Sequence, residues 1–151
     1  MSTIAELMTH DHRECDHLFA SAETHAAKGE WEAATQAMSR FSSALEAHFD
    51  AEEQQLFPRF EAVTGMTGGP TQVMRGEHAD MREVLAAMRD ALVRRDAGDF
   101  AGEADTLMVM MQQHNMKEEN ILYPMCDARL ADEGSELAAG LARRLGARAE
   151  A

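Results

Sequence analysis

His114-Asn115-Met116-Lys117-Glu118-Glu119-Asn120-Ile121-Leu122-Tyr123-Pro124 sets a histidine and a glutamate four residues apart in a stretch whose apolar residues recur every three or four positions. The same frame occurs 66 residues earlier, as His48-Phe49-Asp50-Ala51-Glu52-Glu53-Gln54-Gln55-Leu56-Phe57-Pro58. On a helix, positions four apart share a face, so each copy projects an imidazole and a carboxylate in one direction. That donor pair suits iron, zinc or manganese, whereas calcium takes oxygens alone. One His-x-x-x-Glu is a common accident of a solvated helix face, but two copies with matching Leu-aromatic-Pro tails are not.

The repeat reaches further. Leu7-Met8-Thr9-His10-Asp11-His12 aligns with Val73-Met74-Arg75-Gly76-Glu77-His78, which singles out His12 among its neighbours. His12 to His48 and His78 to His114 both span 36 residues, so the chain reads as a helical hairpin used twice. The midpoints between successive histidines fall beside Gly29, Gly65 and Gly98. Ligands at one height on consecutive helices of an up-and-down bundle have their turns halfway between them. The expected fold is therefore all-α, an antiparallel four-helix bundle with its inward polar residues at one level.

The segments follow that frame. Thr3-Ile4-Ala5-Glu6 is a capping-box pattern opening a helix whose inward stripe is Ile4, Met8, His12, Cys15, Phe19, Ala22 and Ala26. A second helix from Trp31 carries Met38, Phe41, Leu45, His48, Glu52 and Leu56, and Pro58, lacking an N–H, is expected to bend or end it. Thr64 to Pro70 reads as a loop. The third helix presents Met74, His78, Met81, Leu85, Met88 and Leu92, and the fourth Leu107, Met111, His114, Glu118, Ile121 and Met125. Residues 1–130 form the expected bundle, and 131–151 a short tail, helical through Leu137, Leu141 and Leu145, with no function assigned to it.

Composition agrees. Twelve methionines, six phenylalanines, one tyrosine and one tryptophan are proportions of a helical bundle rather than a sandwich or barrel. Fourteen basic residues against 27 acidic give a net charge of −13, which argues against nucleic acid and anionic membrane as partners. Cys15 and Cys126 are too few for a disulfide framework and read as free thiols. Glu6, His10, Asp11, His12, Arg13 and Glu14 interrupt the first 17 positions, where a signal peptide needs an apolar run, so a cytoplasmic protein is expected.

Four histidines and two glutamates facing a core each cost several kcal/mol (roughly 2–7 for a buried polar group) unless they find partners. A dinuclear metal site supplies them, with two bridging glutamates, two histidines on each ion, and positions left for water, dioxygen or another small ligand. A hydrogen-bonded core network or a structural zinc remains the alternative.

As a set, these motifs resemble the hemerythrin-like, HHE cation-binding domain family over roughly residues 4–128. The resemblance implies two non-haem iron ions with an oxo or hydroxo bridge, held by His12, His48, His78 and His114 as terminal ligands and by Glu52 and Glu118 as bridges. It also implies His78 and His114 on one iron and His12 and His48 on the other. Oxygen-carrying hemerythrins have His-x-x-x-His on the third helix, whereas this sequence has Met74 there. The remaining set of four histidines and two glutamates is more similar to the di-iron proteins of iron-centre repair. The implied function is binding or sensing of a small diatomic ligand, oxygen or nitric oxide, or of redox state. The alternatives are a di-iron oxidoreductase acting on peroxide, nitric oxide or oxygen, and an iron donor or store.

The other polar residues near the motifs receive plainer readings. His10 and His25 lie off the inward stripes and are expected in solvent, and His17 is about 140° around the helix from His12. Asp16, one turn after His12, is the expected acceptor for that imidazole. Glu53 and Glu119 are expected to face solvent or neighbouring helices, and Tyr123, the counterpart of Phe57, to serve packing.

Overall fold

The computed structural model describes residues 2–150, with side chains described through Gly146. Helix α1 (Ile4–Ala27) starts at Thr3, whose Oγ1 accepts the Glu6 amide at 3.0 Å while Glu6 Oε1 accepts the Thr3 amide at 3.2 Å. Its stop is Gly29, at φ 70°, a left-handed conformation that costs glycine nothing. Helix α2 (Trp31–Ala51) returns antiparallel, and after the loop at Gly65 (φ 73°) the hairpin repeats as α4 (Pro70–Val93) and α5 (Ala97–Lys117), the latter capped by Asp96.

Neither proline ends its helix. Glu52–Leu56 winds as a π-helical turn, the Phe57 amide reaching back five residues to the Glu52 carbonyl, and α3 (Phe57–Thr64) continues the same rod. Glu118–Leu122 does the same, and α6 (Tyr123–Arg129) continues from it. The widened turn takes up the proline ring, and each proline then stands at the start of a new helical segment, where its missing N–H costs nothing. Of the two outcomes expected at Pro58, a bend or an end, the end does not occur. Arg75 covers part of the disturbed turn, donating to the Glu53 carbonyl at 3.4 Å.

The extra residue per π turn also shifts the buried face. Ile121, expected inside by an α-helical count from Glu118, is 56% exposed, while Leu122, Tyr123 and Cys126 are buried.

The core divides into two apolar clusters. One is built on Phe19, Met38, Phe41, Leu85, Met88, Phe100 and Leu107, and the other on Ile4, Met8, Leu56, Phe57, Phe60, Leu122, Tyr123 and Leu130. In every rod the residues of the polar layer fall, in sequence, between the two. Helix α7 (Gly134–Glu150) takes up most of the expected tail, and its Ala138 and Leu141 are buried in the second cluster. Arg59 donates to both carboxylate oxygens of Glu133 at 2.7 and 2.8 Å, tying α3 to the turn before α7. Asp127 on α6 accepts the amides of Ile4 and Ala5 at 2.9 and 3.1 Å, so a carboxylate sits on the positive end of α1. Among the described residues, no helix is long and apolar enough to cross a membrane.

Candidate metal centre

Each rod of the bundle contributes to one buried layer. His12 comes from α1, His48 from α2 with Glu52 opening the π turn, His78 from α4, and His114 from α5 with Glu118 opening the second π turn. All six residues are at most 4% exposed. Two groups have donor atoms close enough to hold an ion: Glu52, His78, His114 and Glu118, and His12, His48 and Glu118. Glu118 belongs to both. Its Oε1 lies 3.0 Å from His12 Nε2 and 3.3 Å from His114 Nε2, and Glu52 Oε1 lies 3.1 Å from His78 Nε2 and 3.6 Å from His48 Nε2. The six residues singled out in the sequence are therefore all brought together.

The layer is held from outside by carboxylates. His12 Nδ1 is 2.6 Å from Glu119, His48 Nδ1 2.8 Å from Asp11, His78 Nδ1 2.6 Å from Glu53, and His114 Nδ1 2.8 Å from Glu77. An ionised carboxylate only accepts, so each Nδ1–H donates outward and each Nε2 turns inward, which is how metal-bound histidines are oriented. Glu119, not Asp16, holds His12, and, of the two surroundings expected for them, Glu53 and Glu119 both face a neighbouring helix, where each meets a histidine. The 66-residue repeat carries the signal for these residues: Asp11 corresponds to Glu77, and Glu53 to Glu119.

The two halves differ in charge. Arg82 donates to Glu53 at 3.0 and 3.1 Å, and Lys117 pairs with Glu77. Burial opposes the Glu53 charge, but His78 and Arg82 outweigh it and hold the carboxyl down to about 2. Among the described residues, no Lys or Arg pairs with Asp11 or Glu119. Asp16 stands where the repeat has Arg82, and burial together with the Glu119 charge raises its carboxyl.

Tyr123 was missed as a polar participant. It is fully buried, and its hydroxyl lies 2.8 Å from Glu52 Oε2, 2.9 Å from Glu118 Oε1 and 3.2 Å from the Nε2 atoms of both His12 and His48. Burial, then the charges of Glu118 and Glu52, push its phenol well above the usual value. On the other side, the Phe49 ring stacks on His78 at 3.9 Å between centroids.

Within the layer the two glutamates are pushed apart. Burial and the Glu118 charge raise Glu52. Burial also opposes the charge of Glu118, but Glu52 and the imidazoles of His114, His12 and His48 beside it overcome this and hold Glu118 well below the carboxylate range. Burial likewise opposes the charge on His48, yet Glu52, Asp11 and Glu118 hold it well above the usual imidazole value.

The protein's own groups do not satisfy the layer. Among the described residues, five buried side-chain polar atoms lack a hydrogen bond, and four of them are Glu52 Oε1, His78 Nε2, His114 Nε2 and Glu118 Oε2. These belong to the four members of the first group. An unpaired buried polar atom costs about 1–3 kcal/mol, so four such atoms in one place favour a cation among them. Imidazole nitrogens and carboxylate oxygens in this ratio suit a transition metal.

Outside the layer, His10 is exposed, and the His25 ring bonds to the exposed Glu30. A groove of about 600 Å³ runs between α1 and α5 with Phe19, Met108, Met111, Asp16 and Glu119 in its walls, and Glu119 connects it to His12.

Residues 3–126 match the family model described as the Hemerythrin HHE cation binding domain. An uncharacterized hemerythrin-like protein of Schizosaccharomyces pombe is 26% identical over 136 residues, which are 89% of this chain and 64% of that protein. The chain thus spans less than two-thirds of that relative's length. No solved structure matches it.

Proposed function

Because the chain belongs to the hemerythrin HHE cation-binding domain family, we propose that its buried histidine–glutamate layer holds a non-haem di-iron centre that binds or senses a small diatomic ligand. In this reading His78 and His114 hold one ion, His12 and His48 the other, and Glu52 and Glu118 bridge them. The observation that carries it is the meeting of inward imidazole nitrogens and carboxylate oxygens from all four rods in one buried layer, with no hydrogen bond on four of those atoms and the Nδ1 of each of the four histidines already engaged outward.

Bound iron supplies one-electron chemistry and open coordination positions for oxygen or nitric oxide. The chain's own residues do the rest. The outer carboxylates fix each imidazole with Nε2 inward, so little ordering is left to be done when an ion enters. Phe49, Phe57 and the two apolar clusters keep bulk water from the layer. The α1–α5 groove, floored by Glu119, is the natural approach for a molecule of a few atoms.

The test is metal content per chain after anaerobic loading with ferrous iron, followed by visible spectra before and after addition of air or nitric oxide. Two irons and a new absorption band with either gas support the reading. One zinc, or no metal and a featureless spectrum, refutes it. Turnover of added peroxide by the loaded chain would move the conclusion from binding to catalysis.

A further inference from the structure

We propose that Tyr123 is a seventh donor of this centre, a phenolate on the ion of the His12 and His48 half. The inference rests on the metal-centre reading above and adds a ligand that the His-x-x-x-Glu motifs do not contain.

The repeat pairs Tyr123 with Phe57, and both are fully buried. Phe57 packs its ring 5.8 Å from His78, with the Arg75 guanidinium 5.4 Å above it. Tyr123 lies 5.6 Å from the His12 ring, and its added oxygen is placed among four atoms of the layer, at 2.8 Å from Glu52, 2.9 Å from Glu118 and 3.2 Å from His12 and His48. A phenol has one proton and two lone pairs, so at most three of these four contacts are hydrogen bonds. Four contacts from a single hydroxyl exceed what hydrogen bonding asks of it.

They match what coordination asks. Donor atoms at right angles around one ion, as in octahedral coordination, stand about 3 Å from their neighbours when the bonds are about 2.0–2.2 Å. The Tyr123 oxygen keeps that spacing to a carboxylate oxygen of each proposed bridge and to both inward nitrogens of one half. Among the described residues it has no hydrogen bond with the inward nitrogen of His78 or His114.

Charge points the same way. The outer carboxylates of the His78 and His114 half are paired with Arg82 and Lys117, whereas Glu119 and Asp11 on the other half have no Lys or Arg partner among the described residues. The more negative half is the one given an anionic oxygen donor, so it favours the more highly charged ion. On binding, the phenol O–H bond breaks, an oxygen–metal bond forms and the proton leaves to solvent. No electron is transferred.

Tyr123 is the only tyrosine in the chain, so tyrosinate absorption reports on it alone. The experiment titrates the full metal-free chain with zinc, which is redox-inert, at neutral pH and follows the near-ultraviolet difference spectrum alongside bound zinc. The expected result is one tyrosinate per chain at saturation and none in Tyr123→Phe. The variant is also expected to bind one of its two ions more weakly by about tenfold or more, the lower bound known for outer-shell partners of a metal. A purely structural tyrosine gives no tyrosinate signal in the unaltered chain. Two zinc ions bound without tyrosinate overturn the proposal and leave the centre intact, whereas no bound ion overturns both.

Discussion

Replacing Glu119 with alanine, alongside Asp16 with alanine, decides which carboxylate holds His12. Sequence spacing favours Asp16, one turn further along the same helix, whereas the structure places Glu119 Oε2 at 2.6 Å from His12 Nδ1. A charge-assisted bond of that length contributes about 1.5–3 kcal/mol. Losing an outer-shell partner of a metal-bound histidine weakens affinity by about 10- to 100-fold, or about 1.4–2.7 kcal/mol. The two ranges overlap, so Glu119→Ala is expected to weaken one of two binding steps within that range and leave the other unchanged. Asp16→Ala is expected to shift either step by less than about twofold, since surface substitutions away from such contacts stay within about 0.5 kcal/mol. Isothermal titration with zinc against a competing chelator resolves the steps. Equal losses in the two variants, or a loss only in Asp16→Ala, would refute the assignment.

Other expectations follow from the same geometry. Glu52→Ala and Glu118→Ala should each lower metal content below two per chain, while His10→Ala and His25→Ala leave it unchanged; retention of two ions by both glutamate variants would sink the bridging assignment. Leu141→Ala, fully buried in the second core cluster, should cost about 2–5 kcal/mol in denaturant unfolding, and an unchanged midpoint would mean that α7 does not cover that end of the core. Cys126 is fully buried and pushed up from 9.0 to about 12, chiefly by burial and then by the charge of Glu52. A thiol raised in the folded state contributes stability that is complete below about 9 and lost as pH rises towards 12. Alkylation of the folded chain should therefore stay at background at mildly alkaline pH and become fast only on unfolding; rapid modification of the native protein at neutral pH would contradict this.

Much of the centre was legible because helices write their contacts locally. His48 and Glu52 share a face whatever surrounds them, as do His114 and Glu118, and equal spacings from turn to turn put His12 and His78 at the same height. The reading failed where a contact crosses between rods. Asp16 is the carboxylate one turn further along the same helix, but Glu119 is the one in contact with His12 because α1 packs beside the end of α5. Tyr123 read as a copy of Phe57 because apolar periodicity registers the ring and is blind to one hydroxyl.

The sequence by itself determined the all-α fold, the antiparallel hairpin used twice and the level at which six metal-type donors face the core. Each of these depends on a residue's position within its own helix, and a period of 3.6 residues and a 66-residue repeat fix that position. Only the tertiary structure decided that the prolines widen a turn instead of ending a helix, that Ile121 turns outward, and that the halves of a repeated site differ. One extra residue in a helical turn rotates everything after it. A carboxylate's partner or a hydroxyl's neighbours are set by the packing of separate helices, which no single-helix period encodes.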